Sequence, residues 1–195
     1  MNRLADLIFS FLGLLFLWPL LVLIGLAVYF TSKGPIFFHQ QRVGKWNRDF
    51  YLIKFRTMKV DSESKGQLTV GMADSRITSV GKYLRAWKLD ELPQLINVFK
   101  GDMSLVGPRP EVRKYVRLYS HEQLKVLSVL PGITDYASIE YSNENELLEK
   151  ADDPEQFYID TIMPDKIRLN QKFIENPGFL NYIRVILLTI KKIVS

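Results

Sequence analysis

The segment from Leu7 to Phe30 runs for 24 residues without a charged side chain. As a straight helix it would measure roughly 36 Å, enough to cross a hydrocarbon core. A cleaved secretory signal fits poorly, because the run exceeds a typical apolar core and no small-x-small cleavage pattern follows. Pro19 sits at its middle. Proline removes one backbone donor and clashes with the preceding turn, so the helix is expected to kink there. A kink suits two half-helices that enter and leave on one face, and it equally suits a bent spanning helix. Flanking charge does not choose between them. Arg3 is offset by Asp6, and the basic residues after Lys33 place the C-terminal part in the cytoplasm either way. From the residues alone, spanning is the commoner outcome.

The remaining residues, 34–195, are enough for one domain, so the chain is expected to divide into an anchor over 1–33 and one cytoplasmic domain over 34–195. There is no cysteine, which excludes disulfides, thiolate nucleophiles and cysteine zinc sites. His39 and His121 are the only histidines. A metal, if used, is therefore a hard cation held by carboxylates, such as Mg²⁺. The net charge of +5 is unevenly spread. Lys33, Arg42, Lys45, Arg48, Lys54, Arg56 and Lys59 face Asp49 alone in residues 31–60, whereas residues 140–155 are acidic. A basic block directly after an apolar segment suits an anionic lipid surface. No nucleic-acid-binding motif accompanies it, so no nucleic acid partner is expected.

Beyond the anchor, Ile36–Phe38 and Phe50–Ile53 read as strands flanking a Gly44–Arg48 turn, which predicts a β-hairpin. Residues 61–74 are polar and read as a mobile loop. Ile77, Val80, Leu84 and Trp87 repeat with helical spacing and predict one buried face. A second helix is expected to open near Asp90, bury Leu92, Leu95, Ile96 and Phe99, and stop at Gly101. Residues 111–129 read as helical, Pro131-Gly132 as a turn, and Asp153-Pro154 as a capped helix start. The last helix, about Phe179 to Val194, carries Asn181, Arg184, Lys191 and Lys192 on one face. It suits either a membrane interface or a core-packed surface position.

Two local patterns bear on chemistry. Asp90-Glu91 in LDELPQL has a plain explanation as a helix cap followed by Pro93. The same geometry also holds a carboxylate ionised at a positive helix end, able to attack phosphorus or bind Mg²⁺. Arg85, Lys88 and Arg109 are near enough in sequence to offset phosphate charge. In Gly107-Pro108-Arg109-Pro110, two prolines restrict the backbone around one arginine, either as a structural turn or as a preorganised phosphate clamp.

KFRTM (Lys54 to Met58), LRAWKLDELPQLINVFKGDMSLVGPRPE (Leu84 to Glu111) and PGIT (Pro131 to Thr134) closely resemble the bacterial sugar transferases, the monotopic phosphoglycosyl transferases. The likeness runs in order from the apolar N-terminus to about Thr134. It implies an α+β fold with an N-terminal re-entrant membrane helix kinked at Pro19, amphipathic interfacial helices and a small mixed α/β catalytic domain. It implies a covalent nucleophile at Asp90, an assisting Glu91, and Mg²⁺ held by that pair. Pro108, Arg109 and Pro110 fall at the family's nucleotide site, and Lys54, Arg56 and Arg85 are candidate phosphate contacts. The implied reaction moves a sugar 1-phosphate from a UDP-sugar to polyprenyl (undecaprenyl) phosphate, releasing UMP. The expected place is the cytoplasmic face of the bacterial inner membrane, among its lipids, with a homodimer left open. A direct attack by the lipid phosphate and a catalytically idle adaptor that recruits glycosyltransferases are the alternatives. Three positions depart from the family pattern: Trp18 precedes Pro19 where Ser is frequent, Leu130 replaces a basic residue before PGIT, and Ser142 stands where arginine is common. The donor sugar is left undetermined.

Overall fold

The computed structural model describes residues 2–60, 62 and 74–194. The expected loop over 61–74 therefore lies almost wholly outside the described residues. The apolar segment forms α1 (Arg3–Thr31), which continues as helix through Pro19. Leu4, Phe16, Trp18, Leu23 and Phe30 on it are exposed. It is the one helix among the described residues long and apolar enough to cross a membrane.

Both ends of α1 are fastened to the same globular body. The Arg3 guanidinium donates to the carbonyls of Val98 at 2.6 Å and Phe99 at 2.9 Å. These lie in the last turn of α3 (Gln94–Lys100), where a cation satisfies carbonyls left without intrahelical donors. Asp6 is fully buried. Its Oδ1 accepts from Ser104 Oγ at 2.9 Å, the Leu105 backbone N–H at 2.9 Å and the Tyr182 hydroxyl at 2.8 Å. At the other end, Ile24 and Val28 pack with Phe55 and Leu84. Between them, Gly13 lies against Leu95, and the rings of Phe11 and Phe99 are 6.3 Å apart.

The expected hairpin forms, with longer arms. β1 (Phe37–Val43) pairs antiparallel with β2 (Asp49–Phe55) in the register Phe38↔Lys54 and Val43↔Asp49. Trp46 and Asn47 turn the chain with positive φ. The next helix, α2 (Ser79–Ala86), is capped by Thr78, whose hydroxyl accepts from Gly81 N–H at 3.0 Å. Ile77 is buried as expected, but it precedes the helix and bridges Met58. Trp87 falls at the C-cap and is 62 % exposed, because the chain leaves helical geometry at Lys88 and the repeat goes out of phase. Two further expectations are corrected here. The chain does turn helical near Asp90, but as a 3-10 turn over Leu89–Glu91; the α-helical part, α3, starts later than expected, at Gln94. The buried face of α3 is Gln94, Asn97 and Val98, while Leu95 and Phe99 turn toward α1. Gly101 does end α3, at φ 100°.

β3 (Ser104–Val106) and β4 (Gly132–Thr134) form a parallel pair. Gly132 thus opens a strand rather than a turn. Its pairing is close: a Cβ on Gly107 would lie 2.5 Å from the Leu130 carbonyl oxygen. The expected helix over 111–129 reduces to α4 (Arg113–Val116) and a 3-10 stretch, Gln123–Ser128, because the chain folds back to put Tyr115 and Val126 into the core. Short helices α5 (Tyr136–Glu140), α6 (Glu144–Glu149) and α7 (Pro154–Phe157) follow, the last capped by Asp153 as expected. α7 passes through a wider turn into α8 (Met163–Glu175). Last comes α9 (Phe179–Val194), packed on the core along one face. Tyr182 and Val185 are buried in the core, while Leu180, Leu187 and Ile190 are exposed.

Candidate active site

Three elements meet at one carboxylate. β2 supplies Lys54, whose Nζ is 3.2 Å from Glu91 Oε1. The corner after β3 supplies Arg109, whose Nη1 donates to Glu91 Oε2 at 3.1 Å and whose Nη2 donates to Oε1. The tight turn between α2 and α3 supplies Asp90 and Glu91. Lys88, in the left-handed region at φ 56°, reverses the chain ahead of them. Glu91 is thus held by a bidentate arginine and a lysine. Burial alone would push its carboxyl up, but Arg109 and Lys54 overcome this and leave it well below the usual range. In return, Glu91 raises the pKa of Arg109, while burial lowers that of Lys54.

Asp90 is treated differently by the fold. It is 7 % exposed, yet among the described residues no group donates a hydrogen bond to its carboxylate. Burial pushes its pKa up. Lys54 pulls it down, Glu91 pushes it up, and Arg85 and Lys88 pull it down again, with a net rise. The expected placement at the end of an α-helix is corrected, since α3 starts beyond Asp90; nearby cations, as expected, favour the ionised form, but against a larger desolvation cost. Arg85 reaches this region from α2, its Nε donating to Thr57 Oγ1 at 3.0 Å.

Two polar residues not singled out in the sequence hold the parts in register. Asn97 is 1 % exposed. Its Nδ2 donates to the Tyr51 carbonyl at 2.8 Å and its Oδ1 accepts from Ile53 N–H at 3.0 Å, docking α3 on β2 beside Lys54. Arg42 on β1 donates to the Pro110 carbonyl at 3.0 Å and pairs with Glu111 at 3.2 Å, pinning the Gly107–Pro110 corner. A polar residue inside an apolar helical repeat was the one available signal for Asn97.

Arg56 is not part of this cluster. Its Nη2 donates to the Ser32 carbonyl at 2.6 Å and to Ser32 Oγ at 2.8 Å, just past the end of α1. Its Nε and Nη1 are buried without a hydrogen-bond partner among the described residues. Pro108 and Pro110 are buried on either side of Arg109 and line, with Tyr119, Val126 and Pro131, a shallow cleft. Ser142 is exposed just after α5, and Leu130 contributes its carbonyl beside Gly107.

No group of three or more acidic or histidine ligands occurs among the described residues. Asp90 and Glu91 nevertheless fit a hard cation. Asp90 has uncommitted lone pairs, Glu91 keeps spare acceptor capacity on Oε2, and Mg²⁺ is ordinarily held by one or two carboxylates with substrate phosphates completing its shell.

The fold is thus a small α+β domain with a docked apolar helix, and its site is an acidic pair in which Glu91 is clamped by lysine and arginine. The chain belongs to the bacterial sugar transferase family, whose profile matches residues 1–195. It is 36% identical over 194 residues to the uncharacterized sugar transferase EpsL of Bacillus subtilis, covering 99% of this chain and 87% of that one. It is 37% identical over 133 residues to a putative undecaprenyl-phosphate N-acetylgalactosaminyl 1-phosphate transferase of the same organism, covering 68% and 70%. It is 39% identical over 167 residues to the UDP-glucose:undecaprenyl-phosphate glucose-1-phosphate transferase of Escherichia coli, covering 83% of this chain but 36% of that protein. The chain thus spans most of the Bacillus relatives and about a third of the Escherichia coli one.

Proposed function

We propose that this chain transfers a sugar 1-phosphate from a UDP-sugar to polyprenyl phosphate, in two steps through Asp90. The observation that carries this reading is the asymmetry of the dyad: Glu91 is clamped by two cations, whereas Asp90 receives no hydrogen bond from the described residues. The Asp90 oxygens are not among the buried atoms closed to solvent, so a carboxylate that no protein donor claims stays open to an incoming ligand. The names of the relatives support the donor and acceptor classes.

In the first step an Asp90 oxygen attacks the sugar-bearing phosphorus. The bond from that phosphorus to the bridging oxygen breaks, and UMP leaves with that oxygen. In the second step a polyprenyl phosphate oxygen attacks the same phosphorus. The acyl phosphate bond breaks, the Asp90 carboxylate returns, and polyprenyl diphosphate sugar is the product. Lys54, Arg85 and Lys88 lower the charge barrier to anion meeting anion around Asp90. Arg109 and Lys54 hold Glu91 in place so that Asp90 is presented in one geometry. Mg²⁺ bound at Asp90 and Glu91 would neutralise diphosphate charge.

The helix α1 supports a one-sided arrangement on the membrane. Arg3 and Val28 contact the same domain, so a fully spanning α1 would drag the polar body into hydrocarbon. Both ends on the cytoplasmic face, with the exposed apolar surface of α1 and α9 in lipid, places the dyad near the acceptor's headgroup. The deciding experiment incubates the protein with a UDP-sugar carrying a radiolabelled phosphosugar and looks for label on the protein with stoichiometric UMP. Asp90→Asn abolishes both; labelling or full turnover in that variant removes the covalent reading. A cysteine at Asn2 labelled by an impermeant reagent from the periplasmic side would remove the one-sided topology.

A further inference from the structure

Helix α8 turns Met163, Lys166, Ile167 and Asn170 toward a shallow cleft that shares Pro108 and Arg109 with the active-site corner. Most polar groups there are already committed. Arg109 is bound to Glu91. Glu111 accepts from Arg42, the Val112 backbone N–H and the Tyr158 hydroxyl. Lys166 pairs with Glu144 at 2.7 Å. Asn170 is the exception. It is 5 % exposed, its Oδ1 is buried without a partner, and its Nδ2 donates to none of the described residues. The hydroxyl of Tyr119, at the same cleft, is likewise without a partner among the described residues.

An uncommitted carboxamide in a slot walled by Val126, Met163 and Ile167 fits one kind of ligand better than another. A hexose displays hydroxyls around its whole rim and requires many free polar partners. A pyrimidine has two apolar faces and a single polar edge. Uracil's edge offers one N–H donor between two carbonyl acceptors, and a carboxamide presents the complementary acceptor and donor side by side. The phenol of Tyr119 is a further donor of the kind a ring carbonyl accepts.

We propose that this cleft is the base subsite of the donor nucleotide and that Asn170 reads uracil, its carbonyl accepting from N3–H and its amide N–H donating to an adjacent ring carbonyl. The inference rests on the reading of the chain as a UDP-sugar transferase. Asn170 lies beyond the PGIT segment, so this assigns a substrate-recognition role to the C-terminal part of the chain.

The test compares binding of UMP and N3-methyl-UMP to the full-length protein in nanodiscs. The wild type prefers UMP by about tenfold or more, the effect of one buried hydrogen bond lost and one donor blocked. In Asn170→Ala, and in the closer-sized Asn170→Leu, the preference falls below about threefold, because UMP weakens and the methylated base does not. A ratio within one preparation is insensitive to a misfolded fraction, and the wild-type comparison needs no variant at all. Equal binding of the two nucleotides by the wild type, or an unchanged ratio in both variants, overturns the assignment. So does a variant that alters the choice among UDP-sugars while keeping the UMP preference, since the cleft would then hold the sugar. Failure of the underlying reading looks different: the wild type would release no UMP from any UDP-sugar.

Discussion

Tyr182 donates its hydroxyl proton to Asp6 across 176 residues of sequence, at 2.8 Å and out of contact with solvent. The bond joins the first helix to the last, and the same Asp6 oxygen also accepts from Ser104 and Leu105. Asp6→Ala leaves three donors unsatisfied and is expected to lower unfolding free energy by about 3 kcal/mol, whereas Tyr182→Phe costs about 1 kcal/mol. Chemical denaturation in a fixed detergent measures both. Equal stability of Asp6→Ala and wild type would mean that the clasp does not hold α1 to the domain.

Asp90 predicts a trade of stability for activity. Its pKa is raised above the ordinary 3.8, so on going up in pH the unfolded chain ionises first, and stability is lost between that value and the folded one. At neutral pH the ionised, unpartnered carboxylate is then a net cost. Asp90→Asn is expected to abolish turnover while gaining about 1 kcal/mol at neutral pH, a gain that vanishes in acid. Melting temperatures at two pH values test the sign.

In the proposed mechanism the same shift bears on the rate. Attack there requires ionised Asp90, so the acid limb of kcat/KM should fall above the range of an ordinary aspartate. Lys54 lowers this pKa, so Lys54→Met moves the limb to higher pH as well as slowing the reaction. Glu91 behaves oppositely. Its depressed pKa means that its stabilisation is present above the ordinary 4.5 and is lost only as pH falls through the lower folded value. A limb that stays put in Lys54→Met would exclude Asp90 as the titrating group.

The corner that carries Arg109 depends on two glycines in contact. A Cβ on Gly132 would run into the backbone of Gly107. Gly132→Ala is expected to cost about 2–3 kcal/mol and to lower activity in the part that stays folded, since β3 and β4 must separate and shift Arg109. Urea unfolding, with activity normalised to folded protein, separates the two effects.

Much of this was legible from local pattern. The apolar run, the hairpin, the Asp153 cap, the Gly101 stop and the rigid proline corner all follow from propensities that act over a few residues. Trp87, the start of α3 and the segment 111–129 depart from the helical expectation for one shared reason. In each the chain leaves α-helical geometry within a few residues, as at Lys88 and after Val116, and helical periodicity carries no information about such a turn.

By itself the sequence determined which chemical groups are available: an apolar helix, no thiol, adjacent carboxylates, and arginine between prolines. Only the tertiary structure decided how they are used. It clamped Glu91 with Lys54 and Arg109, left Asp90 without a hydrogen bond from the described residues, took Arg56 away to Ser32, and tied both ends of α1 to one body through Arg3, Asp6 and Val28. The physical reason is that desolvation and ion pairing depend on distances between residues far apart in the chain, and those distances exist only once the core has closed.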